Sequence, residues 1–259
     1  MQNTISARKR ALLPWLVPVA ILAIWQLTVQ SGWLSTRILP EPRAVAVAFW
    51  QLLLSGELLE HLGASTARAA TGFAIGGGIG FFFGLINGGH KLAESLFDTT
   101  LQMVRNVPHL ALIPLVILWF GIGEEGKIFL VALGVFFPIY LNTFHGIRSV
   151  PPELIEMGRS YGLGGRALFQ QVILPGALPN ILVGVRYALG FTWLTLIVAE
   201  TISATSGIGY MAMNAREFLQ TNVVVLAILL YAALGKAADL AARGLERRWL
   251  RWNTAFLAA

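Results

Sequence analysis

The sequence predicts an all-α integral membrane protein with about six transmembrane helices. Of its 259 residues, 56% are hydrophobic and only 12% are charged, whereas a typical soluble domain is about 25% charged. Apolar stretches of about 20 residues, the length that crosses a bilayer as a helix, recur along the chain. Polar segments rich in proline and glycine separate these stretches. Together, these observations place the chain in a membrane.

The residues that the sequence lacks exclude several classes of function. It contains no cysteine, which rules out disulfides, thiolate metal sites and cysteine nucleophiles. Its four histidines show no metal-ligand spacing, and neither a GxSxG nucleophile turn nor a GxxxxGK[ST] phosphate loop occurs. The net charge is +6, but the basic residues form no patch suited to nucleic acid. We therefore expect a protein that is not an enzyme, binds no nucleic acid and itself holds no metal or cofactor.

The first apolar stretch, Leu12 to Val29, follows the basic run Arg8-Lys9-Arg10. This order is typical of a secretory signal, but the stretch of roughly 18 residues exceeds the 7–15 of a signal's apolar region. No small-residue cleavage site follows closely, so we favour an uncleaved transmembrane anchor. The segment over 32–62 is amphipathic and is interrupted at Pro40 and Pro42, which favours a helix lying along the membrane surface.

The second span, predicted from Thr66 to Asn87, carries a glycine at every fourth position. Residues four apart share one face of a helix, and the missing side chains let another backbone approach closely. We favour packing against another helix of the same chain, and a seam between two copies is the alternative. The five glycines are Gly72, Gly76, Gly80, Gly84 and Gly88.

Prolines interrupt the next two spans. The third span, Asp98 to Phe120, contains Pro108 and Pro114, so its ladder of backbone hydrogen bonds must be broken or kinked. The fourth span, Lys127 to Phe144, contains Pro138. The fifth is predicted over 180–203 and the sixth over 223–242, and a basic tail follows.

The distribution of lysine and arginine predicts which side of the membrane each connection faces. With the N-terminus in the cytoplasm, eleven basic residues fall in cytoplasmic segments and five in the opposite ones. Both termini and the polar loop over 148–179 are therefore predicted to be cytoplasmic. The eleven are Arg8, Lys9, Arg10, Lys91, Arg148, Arg159, Arg166, Arg243, Arg247, Arg248 and Arg251, and the five are Arg37, Arg43, Arg68, Lys127 and Arg216.

The polar loop is expected to begin with a short exposed helix. The pair Pro151-Pro152 suits a first helical turn, the carboxylate of Glu153 suits the positive end of the helix dipole, and Gly162 can end the helix. A second helical piece, Arg166–Leu174, is expected to stop at Pro175. A polar helix that interrupts an apolar chain offers its surface to a soluble partner.

This loop resembles the signature of the membrane permeases of ABC importers, which reads Glu-Ala-Ala, three residues, Gly, nine residues, Ile, one residue, Leu-Pro. Glu156, Gly162 and the pair Leu174-Pro175 match it at the same spacing. Met157 and Gly158 replace the two alanines, and Val172 replaces the isoleucine. A glycine in place of alanine is expected to loosen the helix by about 0.5–1 kcal/mol. The runs over 105–123, 137–148, 196–221 and 245–252 resemble the aliphatic sulfonate permeases, which are close to the taurine and nitrate permeases.

The resemblance implies the fold of a type I ABC importer permease in the bacterial inner membrane. Residues 1–62 would form an N-terminal transmembrane helix and a periplasmic amphipathic segment, and residues 63–259 a five-helix core with a cytoplasmic coupling helix. The implied partners are membrane lipid, a second copy of the chain in a homodimer, a periplasmic substrate-binding protein, and two ATP-binding cassette subunits that use ATP and Mg. The residues implied to couple to the ATPase are Glu153, Glu156, Met157, Gly158, Ser160, Tyr161, Gly162, Leu163, Leu174 and Pro175.

Ionisable residues within spans are the candidates for a translocation path, because a charge in hydrocarbon is unfavourable unless it faces a cavity or a partner. Arg105, with Asn106 and His109 beside the break at Pro108, offers donors suited to an anionic sulfonate head group. Arg186 and Glu200 complete the candidate set. The alternative is structural, because arginines near a boundary extend toward water, and Glu200 can pair with Arg105 or Arg186 or cap the short segment after the fifth span.

The predicted function is therefore the permease subunit of an ATP-driven importer of aliphatic sulfonates or a similar small anion. The alternative is an ion-coupled secondary transporter or a channel that needs no ATPase. Such a transporter is expected to show inverted repeats with paired broken helices. Only one predicted span is clearly broken by proline, which weighs against this alternative.

Overall fold

The structure, a computed structural model, describes residues 7–36 and 38–252, and this part of the chain contains helices and no strands. The predicted all-α membrane fold is confirmed. The helices are α1 (Ala7–Gln30), α2 (Pro42–Ser55), α3 (Glu57–Gly89), α4 (Lys91–Arg105), α5 (Ile113–Phe120), α6 (Glu124–Arg148), α7 (Pro152–Ser160), α8 (Gly165–Leu168), α9 (Leu174–Ser203), α10 (Ile208–Glu217) and α11 (Thr221–Trp249). A 3₁₀ turn at His109–Leu112 precedes α5, and a π turn at Phe169–Ile173 precedes α9.

Four of the described helical stretches are long and apolar enough to cross a membrane, and a bent pair of helices adds a fifth. The four are Glu57–Gly89, Glu124–Arg148, Gly165–Ile202 and Thr221–Trp249. The pair, Lys91–Arg105 with His109–Phe120, is bent by 80°, as expected from Pro108. A shorter apolar helix, Leu16–Gln30, lies within the first predicted span. The predicted number of spans is therefore close to the number observed.

One predicted boundary is wrong, and another falls inside a helix. The segment predicted over 32–62 contains α2 and the start of α3, which begins at Glu57 and continues without a break to Gly89, so its position along the membrane surface stays a prediction. The helical piece starting at Arg166 does not stop at Pro175, and Gly165–Ile202 forms one apolar stretch. Pro175 lies in the first turn of α9, directly after the π turn. The π turn re-pairs the backbone around the missing proline N–H, so the helix can continue.

The chain divides into two compact units. One unit combines the N-terminal part up to Glu60 with Met211–Leu229. In this unit, the indole N–H of Trp25 in α1 donates to the carbonyl oxygen of Pro40 at 3.0 Å, which fixes the turn that leads into α2. The other unit combines His61–Tyr210 with the chain from Leu230 onward, and it contains all the candidate site residues. The predicted functional division after residue 62 stays a prediction.

In the larger unit, α3 packs closely against α6 through the five glycines at every fourth position. A side chain on Gly76 or Gly80 would collide with the backbone of α6 at Ala132 or Phe136. The other three glycines face α6 side chains, with Gly72 against Val131, Gly84 against Thr143 and Gly88 against Ile147. The contact positions increase together along both helices, so α3 and α6 run parallel.

Helix α9 packs antiparallel to α6. Gly134, near the middle of α6, lies against Thr195, whereas Gly146, near its end, lies against the carbonyl oxygen of Ala177. The core of this layer is formed by buried apolar side chains of α3, α6 and α9: Ala69, Val131, Val135, Ile139, Ala188 and Leu196. Between 33% and 44% of the apolar windows of these three spans is buried, which leaves much of their surface for lipid or another subunit.

Candidate functional site

The predicted short helix of the polar loop is α7, Pro152–Ser160, which lies between the spans α6 and α9. Pro151 precedes it in an extended conformation, Glu153 lies in its first turn and Arg159 in its last. Both charges suit the helix dipole. The sequence therefore predicts this element correctly from its prolines, its charges and its glycine.

A Schellman motif ends α7 and depends on Gly162. The backbone N–H of Gly162 donates to the carbonyl oxygen of Arg159 at 2.9 Å, and that of Leu163 donates to Gly158 at 3.0 Å. Gly162 has a φ of +82°, a left-handed conformation that glycine adopts far more easily than other residues. The direction of the chain after α7 is therefore set by this glycine.

Gly158 has a packing role that its low helix propensity, compared with that of alanine, does not predict. It is buried, and a Cβ atom built on it would lie 2.8 Å from a methyl carbon of Leu168 and 3.1 Å from one of Val172. Contacts this short force a neighbour to move. Gly158 thus lets α7 lie directly against α8 and the π turn, which compensates for its lower helix propensity.

One face of α7 is apolar and exposed although no membrane span includes it. The exposed fractions of Leu154, Met157 and Tyr161 are 42%, 50% and 81%. The acids of the candidate coupling set, Glu153 and Glu156, and the hydroxyl-bearing Ser160 are also exposed. Large exposed apolar side chains in a polar surface mark a contact with a partner.

The opposite side of α7 connects this surface to the membrane spans. Ile155 packs against a buried cluster of Ile147, Val150, Ala177 and Ile181. Leu174 packs against the same cluster. With Pro175, it also lines an apolar cavity of about 480 Å³. Leu174 and Pro175 therefore lie behind α7 and support it, whereas the rest of the candidate coupling set lies in or directly after α7.

The translocation candidates do not come together in a single site. Arg105 and His109 line one cavity of about 340 Å³ together with α6 and α9. Asn106 caps the C-terminus of α4 and is exposed. Arg186 and Glu200 do not line this cavity.

Arg186 belongs to a cluster of charges around Asp239 of α11. Its Nε donates to one carboxylate oxygen of Asp239 at 2.8 Å, and Lys236 and Arg243 donate to the other at 3.3 Å and 3.0 Å. These groups are partly exposed. The cluster ties α9 to α11, and it leaves Arg186 already paired with a carboxylate.

Glu200 is buried and accepts hydrogen bonds at both carboxylate oxygens. Oε1 accepts from Arg68 at 2.7 Å and from Ser65 at 2.8 Å. Oε2 accepts from the hydroxyl of Tyr231 and the backbone N–H of Gly209, both at 2.9 Å. With its oxygens used by four donors, Glu200 holds α3, α9, α10 and α11 together. Glu200 pairs with Arg68. The sequence predicts Arg105 or Arg186 as its partner, and neither is bound to it.

Arg68 extends this network to α6. Its Nε and Nη2 atoms both donate to the carboxylate of Glu124, and Nη1 and Nη2 also donate to the carbonyl and hydroxyl oxygens of Ser206. Lys127 donates to Glu124 at 2.9 Å. We refer to Ser65, Arg68, Glu124, Lys127, Glu200, Ser206 and Tyr231 as the buried ionic network, and Glu124, whose side chain is 52% exposed, forms its outer edge.

Most of the buried ionic network is not predicted from the sequence. The distribution of charge places Arg68 and Lys127 in connections outside the membrane spans, but their side chains are only 5% and 4% exposed and lie in α3 and α6. A signal was present, because Arg68 falls inside the second predicted span and the carboxylate of Glu200 inside the fifth. Buried charges of opposite sign are expected to meet. Among the described residues, no group of three or more His, Asp or Glu side chains is arranged to hold a metal ion.

Comparison with known proteins identifies the family. Residues 76–251 match the family described as the inner membrane component of binding-protein-dependent transport systems. This chain belongs to that family. It is a multi-pass permease of the inner membrane, and this membership favours the binding-protein-dependent importer over the ion-coupled transporter.

Two relatives and one solved structure agree with this assignment of the permease. It is 67% identical over 243 residues to an aliphatic sulfonates transport permease named SsuC from Escherichia coli strain K12, covering 94% of this chain and 92% of that one. A protein of the same name from Bacillus subtilis strain 168 is 48% identical, with 93% and 87% covered. A chain of the inward-facing MetNI methionine ABC transporter matches with a TM-score of 0.53 and 22% identity, covering 76% and 97%. At that identity the MetNI match shows the fold.

Proposed function

We propose that this permease is the membrane subunit of an ATP-driven importer of aliphatic sulfonates. The observation that carries the substrate assignment is the 67% identity to the E. coli aliphatic sulfonates permease over 94% of the chain. Residues that form the translocation path are spread along a permease, so similarity over nearly the whole length supports a shared substrate class. The sulfonates are small anions with an apolar tail.

The proposed working assembly is a homodimer of this chain with two ATPase subunits and a periplasmic substrate-binding protein. ATP and Mg would be used by the ATPase subunits, because this chain has no phosphate loop of its own. Both termini and α7 would face the cytoplasm, as the distribution of basic residues predicts.

Helix α7 is proposed to couple the ATPase to the membrane spans. Its exposed apolar residues, Leu154, Met157 and Tyr161, would enter a cleft of the ATPase, and its acids would contact the polar rim. Because Ile155 packs against residues at the ends of α6 and α9, displacement of α7 moves both spans. ATP binding would bring the two copies of α7 together and open the path outward, and hydrolysis would reset it.

Growth on a defined sulfur source tests the proposed substrate. A strain in which this gene is deleted should fail to grow with 1-pentanesulfonate as sole sulfur source, and growth should return when the gene is supplied on a plasmid. Growth on sulfate should not change. Normal growth on pentanesulfonate with loss of growth on taurine would reassign the permease to taurine.

Purification in detergent tests the proposed assembly. A tagged copy of the permease should bring down a separate ATPase subunit whose hydrolysis of ATP depends on Mg. Truncating the exposed face, with Leu154→Ala and Met157→Ala together, should reduce the ATPase recovered without reducing the permease recovered. Transport by a preparation that contains only this chain would contradict the proposal and favour an ion-coupled carrier.

A further inference from the structure

A cavity of about 340 Å³ lies between the broken third span and the spans α6 and α9. Its size falls within the range of about 300–1,000 Å³ that is typical of small-molecule sites. Its lining is contributed by the end of α4, the 3₁₀ turn, α6 and α9, and it includes Arg105, His109, Phe137, Asn142, Tyr187 and Phe191. We call it the Arg105 cavity.

The charged groups of the Arg105 cavity suit an anion. Arg105 is exposed, and within the part of the chain that the structure describes it makes no hydrogen bond and no ion pair. This separates it from Arg68 and Arg186, whose guanidinium groups are bound to carboxylates. No carboxylate is among the residues that line the cavity, so nothing there competes with an anionic ligand for the guanidinium. Sulfonate oxygens accept hydrogen bonds from a guanidinium as carboxylate and phosphate oxygens do.

His109 and Thr195 give this cavity a second, positioned polar contact. The Nε2 atom of His109 lies 3.2 Å from the hydroxyl oxygen of Thr195. Gly134 makes room for this pair, since a Cβ atom there would lie only 2.7 Å from the same hydroxyl oxygen. The ring of His109 is therefore held in place at the break in the third span. Asn142 is held similarly, because its side-chain amide donates to the carbonyl oxygen of Pro138 at 2.8 Å.

Apart from the phenol group of Tyr187, the remaining walls of the Arg105 cavity are apolar. Phe137 and Phe191 contribute aromatic rings from α6 and α9, and Leu133 and Leu141 contribute aliphatic side chains. A cavity with one unpaired cation and apolar walls matches an amphipathic anion better than it matches a small inorganic anion. Nitrate or sulfate would leave the apolar walls without a partner.

We propose that the Arg105 cavity is a binding site for the alkylsulfonate during its passage through the permease. The sulfonate head group lies at Arg105 near His109, and the alkyl chain lies against Phe137 and Phe191. The identity of the anion rests on the proposed function, whereas the site itself rests on the geometry of the cavity. Of the five translocation candidates, Arg105 and His109 therefore belong to this site, and Arg186 and Glu200 do not.

Calorimetric titration of the full-length chain in lipid nanodiscs, without ATPase or binding protein, tests the site. The probe is 1-pentanesulfonate, and pentyltrimethylammonium and methanesulfonate are compared with it. The unchanged chain should bind pentanesulfonate, and the cation should not compete. Arg105→Gln should weaken binding about tenfold or more, the loss expected for one charge-assisted contact. Arg186→Gln, which changes an arginine already paired with Asp239, should change the affinity less than twofold.

A second variant tests the apolar wall separately. Phe191→Ala should weaken pentanesulfonate about tenfold and change methanesulfonate less than twofold. Absence of pentanesulfonate binding to the unchanged chain, or equal affinity in Arg105→Gln and Arg186→Gln, would overturn the site. If the gene deletion nevertheless abolishes growth on pentanesulfonate, the proposed function survives and only the cavity is wrong. If the cavity binds pentanesulfonate but the deletion strain grows on it normally, the proposed function is the part that fails.

Discussion

Glu200 shows how one residue can hold several membrane helices together. Removing the carboxylate charge of Glu200 from water has a high free-energy cost, and only complete pairing of the carboxylate offsets that cost. The carboxylate of Glu200 has a partner for each oxygen on α3, α10 and α11. Because the arginine that pairs with it also binds Glu124 of α6, loss of Glu200 affects more than one contact.

We predict that Glu200→Gln destabilises the permease by about 3 kcal/mol, within the range known for breaking a buried ion pair. The new amide group donates hydrogen bonds, so it faces donors where a carboxylate oxygen accepted them. The control is Glu94→Gln, which removes the partly exposed ion pair with Arg148 and should cost about 0–1 kcal/mol. Thermal unfolding of both variants in the same detergent measures the difference. Equal melting temperatures would show that the buried ionic network contributes little stability.

At the scale of the element, α7 depends on how it ends. Neither Gly162 nor Gly164 has any atom within 4 Å of a Cβ atom built on it, so alanine fits the space at both positions. Their backbones differ, because Gly162 has a φ of +82° and Gly164 a φ of −134°. Alanine in the left-handed conformation costs about 1–2 kcal/mol, and the extended conformation of Gly164 carries no such penalty.

We therefore predict that Gly162→Ala weakens coupling and that Gly164→Ala does not. Strain at Gly162 shifts the end of α7 and the direction of Tyr161, which reduces the amount of ATPase that co-purifies and slows growth on pentanesulfonate. The amount of permease in the membrane should be unchanged in both variants. If the two alanines behave alike, the conformation of Gly162 has no part in coupling.

The close contact between α3 and α6 is a second property at the scale of the element. Gly76 and Gly78 both lie in the middle of α3, where alanine improves helix propensity by about 1 kcal/mol. At Gly78 no atom lies within 4 Å of the added methyl group, but at Gly76 the methyl group collides with the backbone of Ala132.

We predict opposite signs for these two substitutions. Gly78→Ala should leave stability unchanged or raise it by up to about 1 kcal/mol. Gly76→Ala should lower it by about 1–3 kcal/mol, because the helices must separate to admit the methyl group. Loss of helical circular dichroism on heating, followed in detergent, compares the two variants. A Gly76→Ala variant as stable as Gly78→Ala would mean that α6 moves away from α3 at no cost.

For the whole molecule, the sequence predicts the spans well and the contacts between them poorly. A bilayer demands about 20 apolar residues per crossing, and this requirement is visible within a single segment, as over Thr66–Asn87. Pairing of Arg68 with Glu200 is not visible, since 132 positions separate them and only the fold brings them together. The sequence wrongly predicts that a helix stops at Pro175, because it does not reveal the preceding π turn that lets the helix continue.

The cation of the Arg105 cavity is predicted from the sequence, since Arg105 lies beside a proline break. The aromatic walls are not predicted, because they come from two other spans.

The orientation of the permease is the property that the distribution of charge predicts for the whole molecule. Helix α9 separates α7 from the loop that follows it, so exposed positions in these two places should lie on opposite sides of the membrane. The chain contains no cysteine, and Ser160→Cys and Thr205→Cys each add a single one at an exposed position. Eleven basic residues are predicted inside, and three remain outside once Arg68 and Lys127 are assigned to α3 and α6. A membrane-impermeant maleimide should therefore label Ser160→Cys only in inside-out vesicles and Thr205→Cys only in intact spheroplasts. The reverse pattern would place α7 outside the cell, where no ATPase could bind it.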